Sequence, residues 1–151
     1  DYKFKLTPLE SLFYNTIVEY IRPNPRNKII IYHSDNWGLN ATNIGWHLSE
    51  YLHNLQEGDN LPMITSNTLS EIIHDARYHH PVFGNIVAIT NIGILLEPAL
   101  KLNFAALLDN HSQNNTLFLH WPGESDAENL YFLTKEQGIK IFIGNLSHIK
   151  I

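Results

Sequence analysis

The chain has 151 residues, 44% of them hydrophobic, a formal net charge of −5 and no cysteine. That length suits one domain around one core, so residues 1–151 are read as a single unit. The missing cysteines exclude disulfide staples and thiolate metal sites, and the acidic balance with singly scattered cations argues against direct DNA or RNA contact.

Thr7-Pro8-Leu9-Glu10 is a capping box with proline at the first helical position, and it opens a helix. Leu9, Leu12, Phe13, Ile17, Tyr20 and Ile21 follow at helical spacing until RPNPRN stops the run. Lys28–Tyr32, with three consecutive isoleucines, reads as a buried strand. A polar loop follows, then a helix whose face carries Ile44, Leu48, Tyr51, Leu52 and Leu55 and which Gly58 closes. LPMITSN (61–67) reads as a second strand, and Thr68-Leu69-Ser70-Glu71 as a capping box opening a helix to about His79. NIVAIT (85–90) is apolar on both faces, as a central parallel strand requires. A short helix over Leu102–Asn110 and a fourth strand, NTLFLHW (115–121), come next. Ser125-Asp126-Ala127-Glu128 reads as a third capping box leading a helix to Gly138, and IKIFIG (139–144) as the last strand.

An N-terminal helix followed by strands alternating with helices predicts an α/β three-layer sandwich with a mostly parallel five-stranded sheet and right-handed crossovers. Thr-Asn-Ile-Gly occurs twice, at 42–45 and 90–93, but in different contexts, and is read as coincidence. No stretch reaches the roughly 18 uninterrupted apolar residues of a membrane helix. The opening DYKFKLTPLE lacks the apolar core of a secretory signal, so a cytoplasmic location is expected.

The strand–loop–helix at 27–52 stands where a nucleotide-binding domain holds phosphate. A working phosphate loop needs glycines to wrap the anion, a lysine for its outer charges and a hydroxyl for Mg²⁺. This loop runs His33-Ser34-Asp35-Asn36-Trp37-Gly38-Leu39-Asn40-Ala41-Thr42. Gly38 stands before the lysine position, but Leu39 fills that position, Asn40 follows, and Thr42 comes two residues late. The strand at 85–90 would end in an acid that holds the metal or its water, and here it ends in Thr90 and Asn91. Two requirements fail in two places, so ATP is disfavoured as a cofactor and no metal is expected. Trp37, Gly38, Asn40 and Thr42 then form a vestigial phosphate loop. The plainer alternative is a connection in which Asn40 or Thr42 caps the next helix.

Nine histidines invite a metal reading, but none shows the HExxH spacing of a helical zinc site. His33-Ser34-Asp35 carries the letters of a hydrolase triad, yet three successive residues cannot assemble one, and no G-x-S-x-G turn is present. Trp46 is expected to pack on the first crossover helix. Trp37 and Trp121 are placed at the carboxyl edge of the sheet, as a stacking platform, a protein-binding patch or a plug.

One longer stretch carries a family pattern. Leu95-Leu96-Glu97-Pro98-Ala99-Leu100-Lys101-Leu102 follows a strand, and the next strand ends in Trp121-Pro122-Gly123. With these features residues 86–124 resemble the BrxF family of small P-loop proteins of type III BREX phage-defence systems. The resemblance implies a P-loop, AAA-like core and membership of a multi-protein complex that acts on DNA. It extends to chain length and to the preceding strand–loop–helix, and it breaks at Leu39, Asn40, Thr90 and Asn91. The expectation is a degenerate, non-catalytic subunit whose partners are other proteins of a defence complex, with no direct nucleic-acid contact and an open oligomeric state. The alternative is a nucleotide-binding AAA-like ATPase or sensor whose site a partner completes.

Overall fold

A computed structural model describes residues 8–33, 38–56, 58–136 and 138–151. Helix α1 (Pro8–Ile21) leads into strand β1 (Ile29–Tyr32), and a connection carries the chain to the two-residue strand β2 (Thr42–Asn43). Helices α2 (Ile44–Leu52) and α3 (Leu61–Ala76) follow, then strands β3 (Tyr78–His80) and β4 (Gly84–Thr90). Two 3₁₀ turns (Gly93–Leu96 and Pro98–Leu100) lead to α4 (Phe104–His111) and β5 (Thr116–His120). The hairpin β6 (Asn129–Phe132) and β7 (Ile139–Phe142) precedes the last strand, β8 (His148–Lys150).

The main sheet has six strands in the order β2-β4-β5-β1-β8, with β3 beside β2 on the outer flank of β4. Every pairing is parallel except β3 with β4. Alternation along the strands builds two cores. Ile29, Ile31, Val87, Ile89, Leu117 and Leu119 face α2, α3, α4 and the hairpin. Ile30, Tyr32, Ile86, Ala88 and Phe118 face the other way, onto Tyr14 and Ile17 of α1. Helices therefore cover both faces of a mostly parallel sheet, as the apolar runs in the central strands require.

Four expected elements take another form. Residues 61–67 are the first half of α3 rather than a strand, because Asn60 caps them by accepting the Met63 N–H and Pro62 fits the first turn. Thr68-Leu69-Ser70-Glu71 consequently lies inside that helix. The helix stops at Ala76, and residues 78–80 join the sheet as β3. Among the described residues, 125–136 do not form a helix. The Asp126 carboxylate accepts the N–H groups of Glu128 and Asn129 and the Tyr131 hydroxyl, which bends the chain into the β6–β7 hairpin with Leu130 buried beneath it. Residues 139–142 pair in that hairpin, and β8 takes the edge of the main sheet, which has six strands instead of five. Thr7 lies outside the described residues.

The amino ends of β1 and β5 are tied to α4 through a buried amide. Asn27 donates from Nδ2 to the Asp109 carboxylate at 2.8 Å and to Ser112 Oγ at 3.0 Å. The bond from Asn27 holds Asp109 below the usual carboxylate range, with Gln113 adding to the effect.

Candidate functional site

The carboxyl edge of the sheet gathers the ends of β1, β2, β4 and β5. The connection after β1 packs Leu39 and Ala41 on the α1 face, whereas the hairpin after β5 packs Leu130 and Ile141 on the opposite face. Open α/β sheets bind ligands at this edge, beyond the carboxyl ends of their strands.

On one side of this edge the two Thr-Asn-Ile-Gly segments lie against each other. Asn43 of the first pairs with Thr90 of the second in the parallel ladder. The Gly45 N–H donates to the Asn91 carbonyl at 2.9 Å, and Asn91 Nδ2 donates to Asn43 Oδ1 at 2.9 Å. Asn43 Oδ1 also accepts the Trp46 N–H at 2.8 Å, so Asn43 caps α2. Neither Asn40 nor Thr42 does so: the Asn40 N–H donates to the Tyr78 hydroxyl, and Thr42 is a strand residue opposite Ile89. Strand β2 thus separates the loop from the helix, and α2 begins beside the end of β4, two strands from β1. Gly38 adopts φ +70°, which side chains rarely tolerate. Trp37, with Ser34, Asp35 and Asn36, lies outside the described residues.

On the other side of β4 a cleft of about 500 Å³ opens between residues 90–93, 120–123 and 131–133. His120 is part of its lining. Its Nε2 lies 3.1 Å from the His33 carbonyl, which can only accept, so that nitrogen carries the proton. Nδ1 is then an acceptor, and the Thr90 hydroxyl donates to it at 3.0 Å. The Tyr32 ring lies 5.2 Å away, centre to centre. Trp121 is only 4% exposed, fixed by donating its indole N–H to the Glu124 carbonyl at 3.1 Å. Of the expected roles for this residue, the plug fits its burial best, and it leaves one edge lining the cleft. Trp46 is 58% exposed instead of packed inward.

Sequence reasoning placed Trp121 at this edge and read Thr90 and Asn91 only as a missing acid. It missed His120. The signal for that residue is a histidine closing an apolar strand just before Trp-Pro-Gly, at the end where ligands bind.

Among the described residues no group of three or more His, Asp or Glu side chains is placed to hold a metal ion, and no helix is long and apolar enough to cross a membrane. Compared with family models, curated proteins and solved structures, the chain matches none.

Proposed function

We propose that the chain is a non-catalytic subunit of a bacterial phage-defence complex, an α/β domain with a degenerate phosphate loop that works through contacts with other proteins. The resemblance of residues 86–124 to the BrxF family supports the setting, and the chemistry of the carboxyl edge supports the absence of turnover.

One observation carries the reading. The first amides of α2, the groups that would cradle phosphate at a helix start, are engaged within the protein: Gly45 on the Asn91 carbonyl and Trp46 on the Asn43 side chain. Leu39 supplies no charge in the lysine position, and β4 ends in Thr90 followed by the amide Asn91 where metal chemistry needs a carboxylate. Contacts with other proteins are favoured by the aromatic surface of α2, where Trp46 and Tyr51 stay exposed. These residue types are enriched in the energetically dominant centres of interfaces.

Calorimetry with Mg-ATP and a phosphate-release assay on the purified chain test the proposal. No binding tighter than about 1 mM and no turnover are expected. Micromolar, magnesium-dependent binding with hydrolysis overturns it in favour of a nucleotide-binding ATPase or sensor.

A further inference from the structure

The cleft beside β4 has a chemistry of its own, independent of partner docking. Among the described residues, its lining contains no lysine, arginine, aspartate or glutamate. A charged ligand would lose its hydration there without gaining an opposite charge. The aromatic lining comes from the half-buried Phe132 and from the margins of the buried Trp121 and Tyr131, and a half-buried ring such as Phe132 can stack on a planar ligand. A few convergent polar groups in a largely apolar recess of this size are the usual composition of a small-molecule site.

The polar pair in the lining has a defined polarity. The His33 carbonyl fixes the His120 proton on Nε2, so His120 Nδ1 takes the Thr90 hydroxyl proton. The Thr90 oxygen keeps its lone pairs, and because Thr90 lines the cleft, it offers an acceptor without a competing donor proton. A ring N–H matches it.

The rim carries a second mark of a built site. Asn91 and Leu133, which both line the cleft, have φ of +57° and +75°, a region that costs L-residues energy and recurs at ligand sites. Leu133 is 70% exposed in that conformation, an aliphatic side chain of the lining with little burial of its own to stabilise it.

We propose that the cleft between the ends of β4, β5 and β6 binds an uncharged, planar heteroaromatic molecule through a ring N–H donated to Thr90. The reading needs no phosphate and no metal. It stands whether or not the chain assembles with other proteins, and the two readings are tested by different measurements.

The probe is benzimidazole, neutral at pH 7.5, titrated into the ¹⁵N-labelled chain and followed by the amide resonances of Gly93, Gly123 and Leu133. Shifts at these three amides with a dissociation constant of about 1 mM are expected. The analogue 1-methylbenzimidazole, which lacks the N–H, should bind at least about tenfold more weakly. Thr90→Val should erase that difference and Thr90→Ser should retain it. Benzoate, of similar size but charged, should leave the three amides unmoved. Unshifted amides at about 10 mM benzimidazole, equal binding of the two probes to the unmodified chain, or preferential binding of benzoate would each overturn the proposal.

Discussion

The same four residues, Thr-Asn-Ile-Gly, end β2 and β4, and the two copies behave differently. In the first, Asn43 is extended (φ −78°) and caps an α-helix. In the second, Asn91 turns left-handed (φ +57°) and a 3₁₀ turn without a side-chain cap begins two residues on. Both isoleucines, Ile44 and Ile92, enter the same core. The hydroxyls diverge, since Thr42 sits in the outer strand while Thr90 holds His120. The apolar position thus follows from sequence, and the backbone at the asparagine follows from its neighbours. The first copy closes its flank of β4, and the second opens the other flank into the cleft.

The two glycines give the sharpest break in this comparison. A Cβ on Gly45 would lie 2.7 Å from the Asn91 carbonyl oxygen, a backbone atom that cannot step aside. Gly45→Ala should therefore force β2 and β4 apart and destabilise the fold by about 2 kcal/mol, after allowing for alanine's better helix propensity. Urea denaturation measures it, and an unchanged midpoint would mean that the two copies are not locked together.

Asn43→Ala probes the same flank more gently. It removes the acceptor for the Trp46 N–H and for Asn91 Nδ2. Both groups are solvent-accessible, so water replaces the partner, and the loss should be about 1 kcal/mol, the usual value for a helix cap. A cost as large as that of Gly45→Ala would show that the side-chain bond, rather than the close backbone approach, holds the flank shut.

The copies also show what a sequence reveals. Residues 84–121 were legible because β4 and β5 are apolar on both faces and Pro98 and Asn103 punctuate the chain between them. Residues 61–67 misled because Met-Ile-Thr suits a strand locally, although Asn60 and Pro62 already marked a helix start. Residues 125–138 misled for another reason: Ser-Asp-Ala-Glu serves a helix cap or an Asx turn equally well, and the Tyr131 hydroxyl that selects the turn is visible only in three dimensions. The connection after β1 was expected to lead straight into a helix. Its diversion into β2 was not legible, because two strand residues carry no periodicity.

The amino end of β4 extends the comparison, since a histidine closes it. His80 is buried, stacks on Phe83 at 4.5 Å between centres, and accepts the Val82 and Phe83 N–H groups at Nδ1. A proton on that nitrogen would displace both amides. Burial, and secondarily the neighbouring His79, hold His80 below the ordinary histidine pKa, and burial acts likewise on His111. The folded chain then binds fewer protons than the unfolded one below about pH 6.5. The stabilisation is fully present above that value and fades as pH falls toward the depressed folded pKa. Urea midpoints at pH 8 and pH 5.5 should therefore decline with acid, and His80→Gln should flatten the decline. A midpoint that rises at pH 5.5 would contradict this sign.

The smallest effect belongs to the second glycine. A Cβ on Gly93 would meet the Phe132 ring at 2.9 and 3.1 Å, the far end of a half-buried side chain on the edge of an open cleft. The ring can swing, and replacing glycine also narrows the unfolded ensemble, so Gly93→Ala should change stability by less than about 0.5 kcal/mol. Its consequence lies in the cleft, where the displaced ring intrudes and benzimidazole binding should weaken. A loss of stability at Gly93 equal to that at Gly45 would show that the hairpin is as rigid as the β2–β4 flank. The contrast between a closed and an open side of β4 would then disappear.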